Sequence, residues 1–175
     1  NTSGQLGNGT TNNVFTFQQI MTDVATMNAG IDNTYILKTD NTLWAAGNNK
    51  YGKLGNGTIY HVYSPKQIMT NVLAVSSGEN FTLILKTDNT LWATGDNSDG
   101  QFGDGTESEG VTITKQIMTN VKSMSAGSSH SLILKTDNSL WATGYNVYGQ
   151  LGDGTTINKK IPKKIMNDVL AVSAG

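Results

Sequence analysis

One six-residue string occurs four times at a nearly fixed interval, and this limits the possible folds more than any other feature of the chain. Gln5-Leu6-Gly7-Asn8-Gly9-Thr10 reappears as Lys53-Leu54-Gly55-Asn56-Gly57-Thr58, then over residues 101–106 and 150–155, at steps of 48, 48 and 49. Other blocks keep the same spacing. Gln19-Ile20-Met21 returns at residues 67–69 and 116–118 and, as Lys164-Ile165-Met166, once more. Leu37-Lys38-Thr39-Asp40-Asn41-Thr42-Leu43-Trp44 returns over residues 85–92 and 134–141. A further block closes on Gly30, Gly78, Gly127 and Gly175, each preceded by Ala or Ser. A period in this range is the mark of a solenoid or a propeller. Residues 1–175 therefore form a single array of about 3.6 repeats, divided as 1–48, 49–96, 97–145 and an incomplete 146–175.

Each unit reads as four short strands. Val72-Leu73-Ala74-Val75-Ser76-Ser77-Gly78 tapers to small residues, which implies crowding at that end. Phe81-Thr82-Leu83-Ile84-Leu85-Lys86 is apolar on both faces, as for a strand covered by two layers. Thr87-Asp88-Asn89-Thr90 supplies a hairpin turn, and Leu91-Trp92-Ala93-Thr94-Gly95 the third strand. The fourth strand runs through Pro65-Lys66-Gln67-Ile68-Met69, or Pro162-Lys163-Lys164-Ile165-Met166, and its proline assigns it to an edge. The 20 glycines, 23 threonines and 19 asparagines disfavour long helices and suit strands joined by turns. The expected fold is all-β, built from four-stranded antiparallel blades whose first strands converge on a propeller axis.

These blocks, taken in order, resemble the regulator-of-chromosome-condensation repeat in its bacterial form. The likeness rests on Ser125-Ala126-Gly127, His130-Ser131-Leu132-Ile133-Leu134-Lys135, Leu140-Trp141-Ala142-Thr143-Gly144-Tyr145-Asn146 and Tyr148-Gly149-Gln150-Leu151-Gly152-Asp153-Gly154-Thr155. The resemblance implies part of a seven-bladed propeller. By phase, the chain contains one outer strand, three whole blades and one inner strand, which suits a fragment of a longer parent.

No catalytic, cofactor or metal site is expected. The Gly-rich string occurs four times with no helix pattern after it, so it reads as a structural loop in which Leu6, Leu54, Phe102 and Leu151 plug the blades. Asp96-Asn97-Ser98-Asp99-Gly100 fails as a calcium loop, because Gln101 stands where the glycine is required and Gly100 where an oxygen-bearing side chain belongs, which leaves only incidental cation binding by Asp99, Asp104 or Glu107. The chain has no cysteine, and His61 and His130 are far apart in sequence. Trp44, Trp92 and Trp141 share one repeat position and are expected to pack between blades. All 12 basic residues are lysine and the net charge is −1, which argues against nucleic acid. No apolar run is long enough for a membrane-spanning helix. The compartment stays open, with a secreted or cell-surface setting favoured.

Function is expected where the repeats differ from one another. The variable segments are Ile31-Asp32-Asn33, Glu79-Asn80-Phe81 and Ser128-Ser129-His130, then Asn48-Asn49-Lys50-Tyr51, Asp96-Asn97-Ser98-Asp99 and Tyr145-Asn146-Val147-Tyr148, then Ile59-Tyr60-His61-Val62-Tyr63. Five of six tyrosines lie there, and tyrosine is a good interface anchor. The expected module is non-catalytic and binds a protein through variable loops on one face, with Tyr51, Phe81, His130, Tyr145, Tyr148, Tyr60, His61 and Tyr63 as candidate contacts. A carbohydrate-binding or enzyme-associated module is the alternative. Exposed blade faces at the two ends of the arc predict self-association, or packing against further repeats of a parent chain.

Overall fold

The four strands of each unit are organised around its hairpin turn. Asn41, Asn89 and Asn138 take φ of 62, 63 and 62°, a left-handed conformation that asparagine tolerates well. In each turn the preceding aspartate, Asp40, Asp88 or Asp137, accepts the backbone N–H and the hydroxyl of Thr42, Thr90 or Ser139. These bonds hold the three carboxyls below their ordinary pKa. The same hydroxyl accepts the indole N–H of Trp44, Trp92 or Trp141 at 2.9, 2.9 and 2.8 Å, so the turn also sets the tryptophan ring.

The computed structural model describes residues 1–175 and contains three four-stranded antiparallel sheets. The first blade holds β1 (Val24–Ala29), β2 (Asn33–Lys38), β3 (Leu43–Gly47) and β4 (Val62–Met69). The second holds β5 (Val72–Ser77), β6 (Phe81–Lys86), β7 (Leu91–Gly95) and β8 (Val111–Met118). The third holds β9 (Val121–Ala126), β10 (His130–Lys135), β11 (Leu140–Gly144) and β12 (Lys159–Met166). Strands are hydrogen-bonded in chain order, so β4, β8 and β12, two of them carrying the prolines, are the outer edges. The only helical element is a 3-10 turn at Lys50–Gly52.

The first strands meet one another, as their small residues require. Ser77 donates its backbone N–H and its hydroxyl to Asn28 Oδ1, at 3.2 and 2.6 Å. Ala126 donates its N–H to Ser76 Oγ at 3.0 Å, and Ala174 to Ser125 Oγ at 2.9 Å. Gly78 and Gly127 are needed here for space, because a side chain on either would collide with the ring of Phe81 or His130.

The core lies between blades. Tyr35, Leu37, Leu43, Ala45 and Leu54 of the first blade pack against Val72 and Ile84 of the second, with Trp92 over them. Phe81, Leu83, Leu85, Leu91, Ala93 and Phe102 of the second pack against Val121 and Ile133 of the third, with Trp141 over them. Successive residues of β6 therefore face different neighbours, which is why that strand is apolar throughout. Leu54, Phe102 and Leu151 are buried plugs, as expected, but Leu6 is 44% exposed.

Two expected strands do not form. Residues 14–21 occupy the repeat position of β4, and residues 169–175 that of an inner strand, yet neither is a strand. No third strand lies beside the former and no second strand beside the latter, so neither has backbone partners for a ladder. Phe15 and Phe17 are left fully open to solvent.

Candidate functional site

Antiparallel order places the connection after each first strand and the connection after each third strand at the same end of the sheet. Both sets of variable loops therefore share one face. Their shape comes from one buried asparagine per loop: Asn49, Asn97 and Asn146 are fully excluded from solvent. The Asn97 side chain accepts the Phe102 N–H at 2.8 Å and donates to the Thr106 carbonyl at 3.0 Å. Asn49 and Asn146 make the same bonds to Leu54 and Thr58 and to Leu151 and Thr155, and Asn1 does so with Leu6 and Thr10. This role escaped the sequence reading because the asparagine sits inside otherwise variable segments. Its recurrence at residues 1, 49, 97 and 146 was the available signal.

The glycine-rich string is likewise occupied with its own folding. Asp104 and Asp153 accept the N–H and hydroxyl of Thr106 and Thr155. Chiefly through the Thr155 hydroxyl, the Asp153 carboxyl is lowered to about 2. Threonine and serine hydroxyls then tie each loop to the next blade: Thr94 to the Gly52 carbonyl, Thr143 to that of Gly100 and Ser131 to that of Gln101. Lys53, 3% exposed, bridges Asp32 Oδ1 at 2.8 Å and the Glu79 carbonyl at 3.1 Å. Tyr35, the one tyrosine outside the loops, donates to the Lys53 carbonyl at 2.6 Å, and complete burial pushes its phenol well above its ordinary pKa.

The eight sequence candidates divide into four groups. Phe81 is corrected: it is completely buried in the core between the second and third blades, 6.5 Å from the Phe102 ring, and offers a partner nothing. Its variability among repeats reflects different fillings of one interior position, Asn33, Phe81 or His130. Tyr51 is half-buried with φ 62°, its ring lying 4.7 Å from the Lys50 ammonium. Tyr60, His61 and Tyr63 are exposed at the start of β4, apart from the remaining candidates. His130, Tyr145 and Tyr148 do come together. They line a hollow of about 390 Å³ with Asp99, Ser128, Ser129, Gln150 and Gly175. The two tyrosine rings meet edge to face at 6.1 Å. Asp99, a member of the variable segment 96–99 and the occupant of the repeat position held elsewhere by Tyr51 and Tyr148, reaches this hollow from the second blade's loop.

His130 is 8% exposed and its ring makes no hydrogen bond to the protein, so burial alone lowers its pKa below the usual value near 6.5. The unfolded chain then takes up this proton at higher pH than the folded chain. Its contribution to stability is intact above about pH 6.5 and is lost as the pH falls from there toward the lower folded value. His130→Phe, which copies the neighbouring blade, should flatten the decline in Tm between about pH 7 and 5. An unchanged slope in thermal melts would contradict this account.

No group of three or more His, Asp or Glu side chains is placed to hold a metal ion, and no helix is long and apolar enough to cross a membrane. Repeated four-stranded blades whose inner strands converge define a β-propeller architecture. The chain belongs to the regulator of chromosome condensation (RCC1) repeat family: one profile of that repeat matches residues 40–85 and 137–175, and a second matches 72–101 and 121–150. Solved structures agree on the fold. Human WBSCR16 is 20% identical, with a TM-score of 0.82 over 94% of this chain and 45% of its own. Prp20p from Saccharomyces cerevisiae is 21% identical, with a TM-score of 0.78 over 87% of this chain and 42% of its own. Yeast RCC1 (Prp20) in complex with Kap60 is 22% identical, with a TM-score of 0.74 over 83% and 37%. The chain thus spans less than half the length of the structures it matches. No curated protein sequence matches it.

Proposed function

We propose that the chain is a non-catalytic protein-binding module that engages its partner through the face carrying the variable loops. One observation supports this above the others: His130, Tyr145, Tyr148 and Asp99, which differ between repeats, gather around one hollow together with the recurring Gln150 and Gly175. The related Prp20p is described by its binding to Gsp1p and histones, and Kap60 binds it, so propellers of this kind serve as protein-binding surfaces. Exposed apolar residues at the two ends of the arc, including Phe15, Phe17 and Leu170, support self-association or packing against further repeats.

Tyr148 is 84% exposed and should be an anchor whose loss leaves the fold intact. The experiment is affinity capture with the immobilised chain, identification of retained proteins by mass spectrometry, and binding measurements on Tyr148→Ala and Tyr145→Ala. At least one protein should bind the parent chain and lose about 1 kcal/mol or more on each substitution, with Tm unchanged. If every captured protein ignores both substitutions, or if only a glycan array retains the chain, this reading fails.

A further inference from the structure

The two seams between successive blades are filled differently. In the second, the Phe81 ring lies over Gly78 and 6.5 Å from the Phe102 ring, closing the seam with hydrocarbon. In the first, Asn33 and Leu54 stand at the positions of Phe81 and Phe102, and Tyr35, in place of Leu83, refills part of that volume. Asn33 is 1% exposed, and neither its Oδ1 nor its Nδ2 has a hydrogen-bond partner in the protein. No other buried side-chain nitrogen or oxygen goes unpaired. The hydroxyls around it have no proton to offer. Tyr35, close enough to feel the Asn33 amide but not in bonding geometry with it, gives its single proton to the Lys53 carbonyl, which leaves the Thr82 hydroxyl to donate to Tyr35. The Ser77 hydroxyl gives its proton to Asn28 Oδ1 at 2.6 Å. None of the three can serve Asn33 Oδ1 without giving up a bond already made. Buried polar groups are ordinarily paired, either with the protein or with ordered water.

We propose that the seam between the first and second blades holds a structural water, which donates to Asn33 Oδ1 and to Ser77 Oγ and so joins the two sheets. A side chain at Gly30 would collide with Asn33 Oδ1 and stand 3.1 Å from Ser77 Oγ, so the two oxygens flank one spot and lie within the span of a single water. Asn33 belongs to β2 of the first blade and Ser77 to β5 of the second, and the bridge therefore crosses the seam. Water suits the site because it brings two protons to a place rich in acceptors, and buried waters are held by such otherwise unsatisfied groups. Gly30 and Ser77 also line a hollow of about 400 Å³ at the propeller axis, through which solvent reaches the seam. A larger ligand is excluded, because both atoms of the Asn33 amide are closed off from the surface. The proposal is independent of the protein-binding reading.

The test is a crystal structure of the chain fine enough to show ordered waters, the same for Asn33→Leu, and thermal melts of both. In the parent, a water oxygen should lie within hydrogen-bond distance of both Asn33 Oδ1 and Ser77 Oγ. Asn33→Leu keeps the size of the side chain and removes the amide, so the water should be gone from that variant. Since the amide it deletes was already satisfied, Asn33→Leu should leave Tm unchanged or lower it. An Asn33 Oδ1 bonded to a protein donor, or with no water in reach, would overturn the proposal, as would a water that persists in Asn33→Leu. So would a Tm raised by more than about 2 °C in Asn33→Leu, because a gain of that size is the mark of removing a buried amide that had no partner at all. The parent crystal structure decides the matter by itself if the variant does not fold.

Discussion

Phe81→Ala should destabilise the chain by about 3 to 5 kcal/mol, the range for removing a buried aromatic ring, and lower Tm by roughly 10 °C. The ring has no exposure, packs over Gly78, and touches a core in which Phe102 and Leu83 of one blade meet Ile133 of the next. Deleting it would leave a cavity that two separate sheets would have to close together. Tyr148→Ala, at an exposed ring, should stay within about 0.5 kcal/mol of the parent. Denaturant melts of the two variants make the comparison. Similar losses in both would mean that the loop face is part of the structural core and not a free surface.

Asn97→Ala should cost about 2 to 4 kcal/mol, although it removes only a small polar side chain. Its amide is the shared centre of the Gly-rich loop. Without it the buried Phe102 N–H loses its acceptor and the Thr106 carbonyl its donor, and a buried group left unpaired costs about 1 to 3 kcal/mol. The loop also carries Phe102 into the core, so loosening it releases the plug between the second and third blades. Asn97→Asp keeps the acceptor for Phe102 but discards the donors and sets a second carboxyl beside Asp104, so it should not rescue stability. Hydrogen exchange should show faster loss of protection at Phe102 and at Thr143, whose hydroxyl is bonded to the Gly100 carbonyl of this loop and to the Lys159 carbonyl. A melting change below about 0.5 kcal/mol in Asn97→Ala would refute the central role of the amide.

The sequence by itself determined the elements whose causes are local or periodic. Repetition defined the unit, the Thr-Asp-Asn-Thr or Thr-Asp-Asn-Ser turn located each hairpin, proline assigned the outer strand and tapering side chains assigned the inner one. Each of these depends on neighbours within a few residues, or on a pattern repeated along the chain. Tertiary structure decided what depends on the adjoining blade. The position of Asn33 and Phe81 is variable in sequence, yet it lies inside, because the next blade covers it. Residues 14–21 repeat the pattern of a good outer strand but form none, because a strand exists only with a partner to accept its hydrogen bonds. The hollow arises in the same way. Asp99 stands 46 residues before Tyr145, in another sheet, and only the packing of one blade against the next brings an unpaired carboxylate to a pair of tyrosines.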